Sequence, residues 1–192
     1  MSIKSVYKKI RFYVRDVFHN KKQRNSLRNS NFSLITSDCT GGCVAKDLRV
    51  RMNSPTRNFY FNADDYIKFC KNLDYYLTLQ PELYTGNYSG EGSEYLMASL
   101  GDLKMFLVHY LSVEQCRDEW IRRRERVNKD NLFFVMKDRN YCTEEDIKAF
   151  DELPYDNKVC FTHIRYPQYK STYYISGSEK DDYLKSVMDY VH

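Results

Sequence analysis

The stretch 105-MFLVHYLSVEQCRDEWIRRRERVNKDNLFFVMKDRNYCTEEDIKAFDELPYDNKVCFTH-163 decides how this chain is read. One apolar run ends in His109-Tyr110 and is followed by a basic segment with helical spacing. A second run ends at Asp138 and is followed by an acidic helical segment. A third ends in Thr162-His163. Strand-like runs separated by helix-like segments imply an α/β fold, here a three-layer, mainly parallel, Rossmann-like sheet. In such sheets the ligand crevice lies beyond the carboxyl ends of the strands. The polar and ionisable residues that close these runs are therefore the first candidates for a site.

Upstream, Phe32–Ser37 is a first strand that breaks into Asp38-Cys39-Thr40-Gly41-Gly42, a turn or helix entry. Asn58–Phe61 is a second strand. Asn62 to Asp65 cap a helix with the stripe Tyr66, Ile67, Phe69, Cys70, Leu73 and Leu77. Residues 80–94 are rich in glycine and are expected to loop; their spacing fits neither a phosphate-binding loop nor a dinucleotide fingerprint. Tyr95–Ser99 and Lys104–Tyr110 are spaced as a strand pair around Gly101-Asp102. Ser112 caps a helix with Gln115 at the capping-box position, and Thr143 caps another with three acids in its first turn. Ser171–Ile175 is extended, and a last helix is expected from Ser178, with Tyr183, Leu184, Val187, Met188 and Val191 on one face.

Charge is unevenly spread. Residues 1–29 hold nine Lys/Arg and one acid, a net +8, whereas the rest hold 21 basic and 25 acidic residues, a net −4. An acidic body argues against a nucleic-acid partner. Residues 1–31 read as a basic amphipathic helix and a polar linker (19–31), ahead of an α/β domain at 32–192. The helix carries Ile3, Val6, Tyr7, Ile10, Tyr13, Val14 and Val17 on one stripe. Residues 3–18 fit an anionic membrane surface, and the same stripe fits docking on the domain or on a second subunit equally well. No run is long enough to span a bilayer, and Lys8, Lys9 and Arg11 interrupt any signal-peptide core, so the chain reads as cytoplasmic, peripheral on the inner face of the membrane if the arm binds lipid. The six cysteines lack paired metal-ligand spacing, and no metal is expected.

The strand ends supply the chemistry. His109 is a candidate acid/base, with Asp38 and Asp138 to orient it or to bind an acceptor. Cys39, Thr40, Gly41 and Gly42 form a turn whose amides suit an anion. The glycines fit positive φ as well, and Cys39 reads as a packed thiol more readily than as a nucleophile. Tyr110, Thr162 and His163 complete the substrate-binding set. The cluster Arg122 to Arg126 reads first as a salt-bridged helix face, through Asp118–Arg122 and Glu119–Arg123, with Arg123 as the phosphate contact if one turns inward.

Phe32–Gly42 (FSLITSDCTGG), Asn53-Ser54-Pro55-Thr56, Asp65–Tyr76 (DYIKFCKNLDYY), Phe106–Tyr110 (FLVHY), Trp120–Asn128 (WIRRRERVN), Asp130–Phe133 (DNLF) and Lys158–Thr162 (KVCFT) resemble the bacterial domain of unknown function nineteen-nineteen, over residues 32–175. The first turn departs from that pattern, with Asp38 for the usual Asn and Thr40 for an aromatic. Members of the family are often described as exopolysaccharide biosynthesis proteins and sometimes as acetyltransferases. The resemblance therefore implies an α/β protein of capsule or exopolysaccharide assembly. Its partner would be an activated sugar or a saccharide acceptor. The expected activity is acyl or glycosyl transfer to a sugar; the alternative is a non-catalytic saccharide-binding or scaffold protein. There is no acetyl-CoA fingerprint and no metal-binding Asp-x-Asp. Cofactor and oligomeric state are not legible in the sequence.

Overall fold

The computed structural model describes residues 3–87, 94–107, 110, 112–139 and 141–184. It is a mixed α/β structure built on two four-stranded sheets. The first is parallel, in the order β1 (Ser33–Thr36), β6 (Leu132–Lys137), β7 (Lys158–Thr162), β8 (Thr172–Tyr174). The second is antiparallel, in the order β2 (Phe59–Tyr60), β5 (Leu103–Leu107), β4 (Glu94–Leu100), β3 (Glu82–Asn87).

One sheet, mainly parallel, was the expectation for the three apolar runs of the central stretch. The runs at 132–137 and 158–162 are parallel neighbours, but the run at 103–107 lies in the antiparallel sheet. The reason is local. Gly101 takes positive φ (63°) in a two-residue turn that pairs Leu100 with Leu103, so the strand closes on its sequence neighbour. Part of the expected loop at 80–94 is strand too. Residues 82–87 have weak strand propensity, but they pair in register with residues 94–99 from an edge position.

Helix α4 (Ala63–Lys71) lies in the core, against β5 of one sheet, β6 of the other and α7 (Glu144–Asp151). All six residues of the predicted stripe are buried, although the helix breaks at Asn72 before α5 (Leu73–Thr78). Phe69 stacks on Phe61 and faces Trp120, and the Tyr66 hydroxyl donates to the Ile35 carbonyl of β1 at 2.8 Å. Of the three cap expectations, Asn62 stands at the N-cap of α4 without a side-chain cap bond, and the other two hold. Ser112 accepts from the Gln115 amide at the start of α6 (Val113–Arg124), and Thr143 forms a reciprocal capping box with Asp146.

The exposed edge of β1 is covered by the segment leading into β2. The Thr56 hydroxyl accepts from the Thr36 amide at 3.1 Å, and the Phe61 amide donates to the Ser37 carbonyl at 2.9 Å. This segment joins the two sheets and lies beside the carboxyl end of β1.

The N-terminal helix runs further than the sequence suggests. Following α1 (Ile3–Val14), a π turn (Arg15–Asn20) leads into α2 (Lys21–Ser26), so much of the expected linker is helical. Lys21, Lys22, Gln23 and Arg24 are good helix formers, and Arg24 is tied to Asp16 and to the Asp47 carbonyl. At the other end, residues 178–184 form turns rather than the start of a helix, because the Leu184 amide is taken by Asp138. Val187, Met188 and Val191 lie outside the described residues.

Candidate functional site

Because β1, β6 and β7 are parallel, the residues that follow them collect at one edge. Lys137 ends β6 and Asp138 follows it, and the two adjacent side chains reach to opposite neighbours. Lys137 Nζ lies 2.7 Å from Asp38 Oδ2, beyond β1, with both side chains buried. Asp138 Oδ2 lies 2.6 Å from His163 Nδ1, beyond β7.

Asp38 has three calls on it. Burial works to raise its carboxyl, but the Lys137 ammonium overrides that and holds the group below the ordinary aspartate range. The Thr40 amide donates to Oδ1 at 2.9 Å, and Arg139 stands 3.8 Å away. The Arg139 guanidinium also lies over the Tyr60 ring, 5.9 Å from its centre. Arg139 Nε and, at the entry to α4, Asn62 Oδ1 are buried with no hydrogen-bond partner among the described residues. Buried polar atoms in that condition call for an explanation.

Asp138 is nearly fully buried, and burial raises its carboxyl above the ordinary value against the pull of His163. Oδ2 accepts both the His163 amide (2.7 Å) and the ring Nδ1, and Oδ1 accepts the Leu184 amide (3.2 Å). An imidazole held at Nδ1 by a carboxylate carries its neutral-state proton there and leaves the Nε2 lone pair for chemistry. The His163 side chain keeps 18% of its surface exposed, so the ring is held firmly and still open.

The turn after β1 starts α3 (Thr40–Leu48). Neither Gly41 nor Gly42 takes positive φ, so the conformational reading of this pair is set aside. Gly41 is a packing glycine. A Cβ there would sit 2.8 Å from Thr36 Cγ2 and from Met52 Cε, so any side chain would drive α3 off the end of β1. Gly42 is open, with Arg57 Cγ the nearest atom to a Cβ, at 4.0 Å. Cys39 is no activated nucleophile, since burial, then Asp38 and Cys43, push its thiol up to about 11.

The profile of a family described as "Domain of unknown function (DUF1919)" matches residues 10–192. The chain belongs to this family. A protein of Haemophilus influenzae named "Uncharacterized protein" is similar over 186 residues at 36% identity, covering 97% of this chain and 85% of that protein.

Of the residues singled out in this DUF1919 chain, Asp38, Cys39, Thr40, Gly41, Gly42, Asp138, Thr162 and His163 share the carboxyl edge. His109 lies outside the described residues. Tyr110 and Arg123, expected as substrate contacts, are engaged in internal bonds. The Tyr110 hydroxyl donates to the Arg57 carbonyl (3.1 Å) and accepts from Arg123 Nη1 (2.9 Å), while Arg123 donates to the same carbonyl (3.1 Å) and pairs with Glu119. Both are buried, and burial pushes the Tyr110 phenol up to about 12. They clamp the segment that covers β1. Arg124 and Trp120 likewise hold the Leu79 carbonyl at the end of α5. Thr162 donates to the Ile164 carbonyl at 2.7 Å and shapes the turn that carries His163.

Sequence reasoning passed over Lys137 and Arg139, although the run Lys137-Asp138-Arg139 at a strand end was the available signal. Among the described residues, no group of three or more His, Cys, Asp or Glu side chains is placed to hold a metal ion. A surface depression of about 440 Å³ is lined by Tyr75, Leu79, Gln80, Glu82 and Gly101, none of which belongs to the strand-end set.

Proposed function

We propose that this DUF1919 protein is a transferase of cell-surface polysaccharide assembly that moves an acyl or glycosyl group onto a sugar hydroxyl. The observation that carries the reading is the Asp138–His163 pair, a carboxylate-oriented and partly open imidazole beyond the carboxyl end of a parallel strand. In acyl and in glycosyl transfer alike, the shared protein task is to take the proton from the attacking hydroxyl. His163 Nε2 is the base for that step. Asp138 fixes the tautomer and stabilises the imidazolium that forms. A polar group of the substrate sits by Arg139, Asn62 and the start of α3, where a sugar hydroxyl can accept from Arg139 Nε and donate to Asn62 Oδ1, the unmatched polar atoms there. In this reading the parallel sheet acts as a Rossmann-like half, and the polysaccharide setting follows from the family resemblance. His109 is retained as the second candidate base on sequence position.

A non-catalytic saccharide-binding role is the second reading, and one observation favours it. Both oxygens of Asp138 already accept internal donors, as a structural carboxylate would. A thermal-shift screen against nucleotide sugars and acyl-CoAs identifies the donor, since a ligand at about 100 times its Kd stabilises by roughly 2.7 kcal/mol. With that donor and a saccharide acceptor, His163→Ala is expected to cut turnover by about 10²- to 10⁴-fold, the usual contribution of a general base, while keeping the donor's thermal shift. His109→Ala run in parallel assigns the base. Saccharide binding with no turnover by the unmodified protein rejects the transferase in favour of the binding module.

A further inference from the structure

The N-terminal arm docks on the body through its π turn and α2, which pack on α3. Arg15 pairs with Asp47 of α3, Arg49 pairs with Asp16 at 2.9 Å, Arg24 bridges Asp16 and the Asp47 carbonyl, and Asn20 is buried. The apolar stripe that runs from α1 into that turn is bare. Val6, Tyr7, Ile10, Tyr13, Val14 and Phe18 are exposed by 42% to 73%. A water-soluble helix ordinarily buries its apolar stripe, and here the stripe is open along with the charges beside it.

We infer that the helix of residues 3–18 is a membrane-surface anchor that seats this stripe in an anionic lipid interface. Three observations choose that occupant. Charge is the first. Between residues 1 and 14 the chain has Lys4, Lys8, Lys9 and Arg11 and no acid. A second copy laid stripe to stripe would bring like charges together along both flanks, whereas anionic headgroups complement them. Composition is the second. Tyr7 and Tyr13 are exposed at 68% and 70%, and tyrosine, apolar in body and polar at its tip, belongs at the headgroup level. Length is the third. The twelve residues of α1 extend about 18 Å, short of a bilayer crossing, and no helix among the described residues is long and apolar enough to cross. Such a helix lies in the interface plane. The domain's own surface is not the occupant, because the arm is already docked on α3 through its π turn and α2, and the stripe of α1 still faces outward.

This inference goes beyond the transferase reading and stands or falls without it. The test is co-sedimentation of the full chain with vesicles of phosphatidylcholine alone and of phosphatidylcholine with phosphatidylglycerol, at low and high salt, beside equilibrium sedimentation of the protein without lipid. Binding is expected with the anionic vesicles at low salt. Ile10→Glu is expected to abolish it, and Lys9→Glu with Arg11→Glu to weaken it at least about tenfold, because each basic residue near the surface contributes and salt screens it. These side chains are exposed, so the variants keep the fold. Absence of binding at low salt overturns the inference, as does equal binding to neutral vesicles or binding indifferent to Ile10→Glu. A lipid-independent dimer that Ile10→Glu dissociates, with no vesicle binding, also overturns it and makes the stripe a self-association face.

Discussion

Helices α1 and α4 have the same kind of sequence and opposite fates. Each repeats apolar residues at helical spacing, and each carries charges between them. In α4 the stripe is buried: Tyr66 and Phe69 have no exposed surface, and the helix touches strands of both sheets. In α1, Ile10 is 57% exposed and Phe12 52%. The difference lies in what each helix meets. Two sheets and α7 surround α4. The α1 arm meets one short helix, and it meets that helix through ion pairs. Periodicity reports that a helix has an apolar face and is silent on what covers it.

Three substitutions can break or sharpen that contrast. Phe69→Ala is expected to destabilise the domain by about 3–5 kcal/mol, the range for emptying a large aromatic site in a packed core, measured by denaturant unfolding. A loss under about 1 kcal/mol would mean that α4 is not the shared core of the two sheets.

Asp38→Asn comes next, with an expected loss of about 3 kcal/mol from leaving the Lys137 ammonium buried without its counter-charge. Its pH dependence has a definite sign. The folded carboxyl titrates below its ordinary 3.8, so its contribution is present above that value and is lost as pH falls through the folded one. Unfolding curves of the native protein should therefore weaken below about pH 4, and the Asn variant should lose that part of the acid response. An unchanged acid limb in the variant would remove Asp38 from the site's electrostatics.

Ile10→Ser should be the mildest, within about 0.5 kcal/mol of the parent, as befits an exposed position. A loss comparable to that of Phe69→Ala would mean that the α1 stripe is covered in solution after all.

Much of the site was legible before the structure, for one reason. A parallel strand delivers the residue after it to a known edge, so Asp38, Asp138 and His163 could be placed together from the apolar runs alone. Partner choice was not legible. Nothing in the sequence says that Asp138 points to β7 while Lys137 points to β1. Nor does it say which internal partners Tyr110 and Arg123 take. Their shared acceptor, the Arg57 carbonyl, is more than fifty residues from Tyr110 and appears only when the chain folds back.

By itself, the sequence determined the positions of the caps at Ser112 and Thr143, the buried stripe of α4, the two parallel runs and the amphipathic character of the arm. All of these follow from rules that act within a few residues: hydrogen-bond needs at helix ends, the periods of helix and strand, and apolar burial. The tertiary structure alone decided that β5 turns back into an antiparallel sheet, that residues 82–87 become a strand, that Lys137 and Asp138 divide between two neighbours, and that the arm docks through its π turn and α2. Those outcomes depend on competition between distant partners for the same hydrogen bonds and charges, and local sequence has no access to that competition.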